Sequence, residues 1–227
     1  MSDTFTLITD SYCVYSVKVR IALDLKSLGF KEEAPVDGSY ESTGFQKVFP
    51  AGSVPVIRCG DFELHDSSAI VEYLEETYPH PALFPKDVHD KARIRSVANY
   101  HDSRLEPLLA KLNRTLMQSD SPERQETIDL TRDRIFDRLF RLNKLLQDAK
   151  VNDSSGIDLL NLVYPATLMQ IQYTLEHLDK ALVIPDHLKT FLSTSLNHEI
   201  IAARVQQHMA QVTKRLEKWL PVERVLS

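Results

Sequence analysis

The stretch Val54–Pro79 constrains the fold of this chain more than any other segment. Two strand-like pieces, Val54–Cys59 and Phe62–His65, flank Gly60-Asp61, the residue pair a tight hairpin requires. Asp66-Ser67-Ser68 then supplies cap-type side chains ahead of Ala69, Ile70, Tyr73, Leu74 and Thr77, which recur at helical spacing. A helix that starts directly after a strand turns its free N–H groups and positive dipole end toward whatever lies above the sheet edge. Such a terminus suits a carboxylate. Pro55 cannot donate to a sheet ladder, so Val54-Pro55 is expected to open its strand and leave the Val54 backbone free to pair with a ligand.

The rest of the chain divides near Pro79–Lys86. Before that point, strand and helix patterns alternate: Phe5–Thr9 as a strand, Val14–Leu28 as a helix, Glu32–Val36 as a strand, and a short helix over Thr43–Val48. This βαβ–ββα order is a thioredoxin-like α/β arrangement. The proline-rich connector Tyr78–Pro85 reads as stiff. Beyond it the pattern is all-α, with helices expected over Val88–Met117, Glu123–Ala149, Ser155–Leu178, a short piece at His187–Leu192, and Leu196–Leu220. The expected domains are residues 1–80 and residues 88–227.

Charge and cysteine usage exclude several classes. A net charge of −5, without a basic run, gives no electrostatic footprint for nucleic acid. No long apolar run marks a membrane span, and Met1–Asp10 lacks a basic start and an apolar segment, so a cytoplasmic protein is expected. Two cysteines, Cys13 and Cys59, are too few for a disulfide framework and suit a reducing compartment. The eight histidines form no i, i+3 or i, i+4 pair, so no metal is expected.

The residues Val54-Pro55 and Asp66-Ser67, with the helix that follows them, resemble the thioredoxin-like N-terminal domain of the cytosolic glutathione S-transferases. The run from Ile70 to Arg95 is especially similar to the zeta class, the maleylacetoacetate isomerase group. The resemblance implies glutathione as co-substrate. Its cysteinyl part would pair with the backbone of Val54 ahead of a cis Pro55, and Asp66 and Ser67 would bind its γ-glutamyl end. It also implies a homodimer, with the Ser67–Tyr78 and Val88–Met117 helices as candidate faces. Ser155-Gly-Ile-Asp158 is similar to a helix-capping box of the family's second domain. From Leu182 onward the family pattern is lost.

The chemistry is expected at the turn Thr9–Arg20, beside the start of the first helix. Positive charge there lowers a thiol's pKa. Counting back from Arg20, Cys13 falls where the zeta pattern Ser-Ser-Cys-Ser-x-Arg-Val-Arg has its first serine and the omega pattern Cys-Pro-Phe-x-x-Arg-x-Arg has its cysteine. Val14 stands in place of the omega proline. Cys13 is therefore the candidate nucleophile, with Ser11 as a second catalytic candidate. Ser11 or Tyr12 could instead donate a hydroxyl to a glutathione thiolate. Cys59 reads as a buried strand residue, and Lys18 and Arg20 as solvated helix charges. Tyr100, His101 and Arg104 read as ordinary helix surface that could border a second-substrate site.

The expected function is a glutathione-dependent transferase, acting by thiol transfer on mixed disulfides or by conjugation of small electrophiles. A zeta-type cis–trans isomerase of a maleyl-type acid is an alternative, against which a nucleophilic Cys13 argues. A non-catalytic binding module of the same fold is another. The complete Val54-Pro55 and Asp66-Ser67 pairs weigh against that one.

Overall fold

The computed structural model describes residues 4–149, 156–178 and 182–219. Its first part is a four-stranded sheet in the order β2-β1-β3-β4. The strands are β1 (Phe5–Ile8), β2 (Phe30–Glu33), β3 (Val56–Cys59) and β4 (Phe62–His65). β1 runs parallel to β2 and antiparallel to β3, and β3 and β4 form an antiparallel hairpin. All of β1 is buried, as its apolar Phe-Thr-Leu-Ile run demands of a central strand. At the hairpin tip Gly60 has φ +58°, a conformation that favours glycine. Pairing in β3 begins at Val56 rather than at Val54, because Pro55 has no N–H for the ladder. β2 likewise lies at Phe30–Glu33, earlier than the expected Glu32–Val36, and Pro35 follows it.

The helix α1 (Val14–Leu25) crosses between β1 and β2 and packs against α3 (Ser67–Thr77) and α10 (Glu199–Leu216). It stops short of the expected Leu28. Ser27 takes φ +54°, and the Leu28 N–H donates to the Leu23 carbonyl at 2.9 Å, a Schellman-type closure. A short helix α2 (Thr43–Val48), capped by Ser42, leads to β3. The proline-rich connector is pinned rather than loose. The buried Lys26 ammonium donates to Glu75 at 2.7 Å and to the carbonyls of Tyr78 at 2.6 Å and Pro81 at 3.0 Å.

Helices follow to the end of the described residues: α4 (Val88–Tyr100), α5 (Glu106–Leu116), α6 (Pro122–Asp148), α7 (Leu159–Val163), α8 (Pro165–His177), α9 (Asp186–Leu196) and α10. The continuous helix expected over Val88–Met117 is interrupted by a π turn at His101–Leu105. Pro107 opens α5 just after it, and a proline N has no hydrogen to continue an α-helical ladder. Ser155 lies outside the described residues. The observed capping box joins Asp158, which accepts from Leu160 N–H at 2.8 Å, to Asn161, whose side chain accepts from Asp158 N–H at 2.9 Å. Pro165 separates α7 from α8, so the expected Ser155–Leu178 helix is two pieces. The expected Leu196–Leu220 helix is also divided: α9 reaches Leu196, and α10 starts at Glu199 after the turn at Asn197-His198.

One hydrophobic core runs from the sheet side into the helical part. Phe5, Leu7, Val17, Ile21, Ile57, Ile70 and Leu74 join Leu105, Leu109, Leu160, Ile171 and Val205 in it. Tyr164 sits at its centre with no exposed surface and donates its hydroxyl to the Val97 carbonyl at 2.6 Å. No helix among the described residues is long and apolar enough to cross a membrane.

Candidate active site

The turn between β1 and α1 is built by Asp10, whose carboxylate accepts from Tyr12 N–H at 2.8 Å and whose carbonyl accepts from Cys13 N–H at 3.2 Å. Cys13 occupies the N-cap of α1 in an extended conformation, with its side chain free of capping duty. Its thiol lies 3.7 Å from the Val54 carbonyl, to which it donates, and so ties the first helix to the segment before β3. Burial pushes this thiol up from its ordinary value. The helix N-terminus was expected to lower it; desolvation outweighs that effect here.

Cys13 and Val54 border a cavity of about 570 Å³. Its other walls come from Tyr40 on the loop before α2, from Glu106, Asn113, Arg114 and Met117 on α5, from Gln170 on α8, and from Arg215 and Trp219 at the chain's far end. Tyr12 also lines it. The Tyr12 hydroxyl accepts from the Gln170 amide at 2.9 Å, and the Arg215 guanidinium lies 4.3 Å from the ring centre. Burial pushes the Tyr12 phenol up to about 12, so it holds its proton at neutral pH. Tyr15 donates to Glu106 at 2.8 Å, and burial followed by that carboxylate's charge raises its phenol further still. Ser11 is exposed and is not part of the cavity wall.

The second cluster surrounds the start of α3. Val54–Pro55 is cis, and Asp66 has φ +72°, one of the few non-glycine residues on that side of the map. The Asp66 carboxylate caps α3, accepting from Ser68 N–H at 2.8 Å and Ala69 N–H at 3.0 Å through the same oxygen. Ser67 is buried beside it. Behind this terminus runs a polar chain. Lys18 Nζ donates to Ser68 Oγ at 3.0 Å, Ser68 donates to Asp102 at 3.1 Å, and His101 bridges Asp102 and Thr167 with 2.7 Å contacts on its two ring nitrogens.

The expectation of solvated charges on α1 is therefore overturned: Lys18 is 2% and Arg20 8% exposed. Arg20 makes a two-point contact with Glu32, at 2.9 and 2.8 Å, that fastens α1 to β2. Burial lowers the Lys18 ammonium, against the pull of Asp102 and Asp66. His101 is buried rather than partly exposed, while Arg104 is exposed and Tyr100 points its hydroxyl to the Arg138 carbonyl at 3.2 Å. Cys59 is half-buried, not fully buried. Thus Cys13 and Val54 come together in the cavity, whereas Pro55, Asp66, Ser67 and Ser11 lie outside its wall. Glu106, Gln170 and Arg215 were missed by sequence reasoning. Each sits on a helix with no local motif and reaches the cavity only through packing. Among the described residues no group of three or more His, Cys, Asp or Glu is arranged to hold a metal ion.

Comparison with known proteins agrees with this architecture. Residues 7–82 match the sequence family described as "Glutathione S-transferase, N-terminal domain". A zeta-class glutathione S-transferase from Euphorbia esula is 39% identical over 137 residues, which cover 58% of this chain and 59% of that protein. A maleylacetoacetate isomerase from Rattus norvegicus is 34% identical over 120 residues, covering 50% and 55%. The chain thus spans somewhat over half the length of these curated relatives. Among solved structures, a Tau class glutathione S-transferase from mango, Mangifera indica, superposes with a TM-score of 0.77 at 20% identity, covering 96% of this chain and 99% of that one. Residues 7–82 therefore match a glutathione S-transferase N-terminal domain, and the chain as a whole has the fold of the solved glutathione S-transferases it superposes on.

Proposed function

We propose that the chain is a glutathione-dependent transferase that conjugates small electrophiles. In this reading residues 1–80 bind glutathione as co-substrate, residues 88–227 supply most of the second-substrate wall, and the protein works in the cytoplasm as a homodimer. The Val54 backbone, next to cis Pro55, pairs with the cysteinyl part of glutathione. Asp66, Ser67 and the N-terminus of α3 take the charged γ-glutamyl end. The observation that carries the reading is the meeting of Cys13 and Val54 across one wall of the cavity, at 3.7 Å. That contact sets a thiol at the mouth of a helix N-terminus, where a glutathione sulfur would also lie.

The raised Cys13 thiol favours conjugation over thiol transfer. A protonated Cys13 serves as a hydrogen-bond donor to a neighbouring sulfur, whereas disulfide exchange needs it as a thiolate. It also removes the main objection to isomerisation of a maleyl-type acid, the activity named for the rat relative, in which glutathione adds to a double bond and leaves again. Retention on immobilised glutathione, followed by conjugation, thiol-transfer and isomerase assays, tests the proposal. Retention with conjugation or isomerisation supports it. Failure to bind glutathione overturns it in favour of a non-catalytic module.

A further inference from the structure

His208 on α10 is 2% exposed and turns its Nε2 toward the Gln170 side-chain oxygen at 3.0 Å. The Gln170 amide nitrogen in turn donates to the Tyr12 hydroxyl at 2.9 Å. These three side chains form a line from the helical part into the cavity. Burial lowers His208 to about 4, so the imidazole is neutral at physiological pH and carries one N–H. Its Nδ1 is buried with no partner. A buried nitrogen lone pair left unmatched is tolerated more readily than a buried N–H left unmatched. The proton therefore belongs on Nε2, where it is donated to the Gln170 oxygen. That fixes the amide with its NH₂ toward Tyr12, so the Tyr12 oxygen accepts and its own hydrogen is left over for the cavity.

We propose that Gln170 and His208 are positioning residues that hold Tyr12 as an obligate hydrogen-bond donor to the carbonyl oxygen of a conjugated, enone-type second substrate. The proposal rests on the transferase reading above. The glutathione sulfur bonds to the β-carbon, the C=C π pair shifts between the α-carbon and the carbonyl carbon, and the C=O π pair moves onto oxygen as an enolate. The proton released by the glutathione thiol ends on the α-carbon. Tyr12 stabilises the enolate oxygen by hydrogen bonding and keeps its own proton throughout. Arg215, stacked on the Tyr12 ring at 4.3 Å, adds positive charge on the same side of the cavity.

The test compares benzylideneacetone, an enone, with benzyl chloride, which has no oxygen to accept a hydrogen bond. The readout is the ratio of their kcat/KM values with glutathione. Tyr12→Phe should lower that ratio by about tenfold to hundredfold, the loss of one hydrogen bond to developing charge, and through kcat rather than through KM for glutathione. Gln170→Glu should do the same, because a carboxylate only accepts and draws the Tyr12 hydrogen to itself. In a Tyr12→Phe background Gln170→Glu should change the ratio no further, which separates an effect through Tyr12 from a through-space charge. Gln170→Met leaves the hydroxyl free to donate and should lower the ratio less than Gln170→Glu. An unchanged ratio in Tyr12→Phe, or a larger loss in Gln170→Met than in Gln170→Glu, overturns the relay while leaving the transferase reading in place. A wild-type protein that conjugates benzyl chloride but not benzylideneacetone also overturns the relay alone, whereas one that fails to bind glutathione overturns both.

Discussion

Lys18 Nζ stands 3.5 Å from an Asp102 oxygen, with the lysine side chain 3% exposed and the aspartate 25%. One group comes from the first turns of α1 and the other from the π turn between α4 and α5, so the pair couples the sheet-bearing part to the helical part. Burial works to raise the Asp102 carboxyl, but the hydrogen bond from His101 and the charge of Lys18 hold it below its ordinary value. The Ser68 hydroxyl adds to the same effect.

Removing the lysine should therefore destabilise the fold more than a surface substitution does. Lys18→Met keeps the apolar stem and leaves Asp102 without its cation. Because Asp102 retains His101 and Ser68 and is partly wet, the loss should be about 1–3 kcal/mol, below the full penalty of breaking a deeply buried pair. Urea unfolding reads it directly. Pairing it with Asp102→Asn should give a double variant markedly less destabilised than the sum of the singles. Additive losses would show that the two charges do not act on each other.

Asp158 gives a pH signature of opposite kind. It caps α7 from a largely buried position, and desolvation raises its carboxyl from 3.8 to about 6 despite the Leu160 and Asn161 N–H groups it accepts. A group whose folded value is raised contributes stability below its unfolded value and loses it as pH rises through the folded one. Wild type should accordingly lose up to about 3 kcal/mol relative to Asp158→Asn between pH 4 and pH 7. Asparagine keeps an acceptor for the cap, so the variant isolates the charge. Parallel stability curves for the two proteins across that range would mean the carboxylate is not penalised by the fold.

The Asp66 carboxylate can be tested without unmaking the helix it caps. Alanine would remove the cap and cost about 1 kcal/mol of stability by that route alone. Asp66→Asn retains a side-chain oxygen for Ser68 and Ala69 N–H, and asparagine tolerates the positive φ. What it loses is the negative charge that would meet the γ-glutamyl ammonium. Calorimetric titration with glutathione should show affinity weakened by about tenfold to hundredfold. Equal affinity in wild type and variant would remove Asp66 from the glutathione site.

Local chemistry made the first domain readable. Gly60-Asp61 marked the hairpin, Asp66 marked the start of α3, and Pro55 marked where β3 opens; each follows from sterics within a few residues. The helical part was readable only as helical. The π turn at His101–Leu105 and the breaks at Pro165 and Asn197-His198 fall inside apolar periodicities that run straight through them. The candidate site divides along the same line. Cys13 and Val54 belong to turns with local signatures. Gln170, His208 and Arg215 are single polar residues on long helices, brought to Tyr12 by packing across more than 150 positions of sequence. The burial of Lys18 and Arg20 was invisible for the same reason, since their partners Asp102 and Glu32 lie on other elements.

Under the proposed function, the protonation of Cys13 separates conjugation from thiol transfer. With burial raising its thiol, the free protein should hold Cys13 protonated at neutral pH. Alkylation of Cys13 by iodoacetamide, followed by mass spectrometry of its peptide, should then accelerate only above the ordinary thiol value of about 8.5. The same shift has a stability consequence with a definite sign. The unfolded chain gives up this proton first, so stability declines as pH rises past about 8.5, and Cys13→Ser should flatten that decline. Serine can still donate to a neighbouring sulfur, so the variant should retain conjugation while losing any glutathione-disulfide exchange. Fast alkylation at neutral pH, together with thiol transfer abolished in Cys13→Ser and conjugation absent in both proteins, would reverse the assignment and make Cys13 the nucleophile.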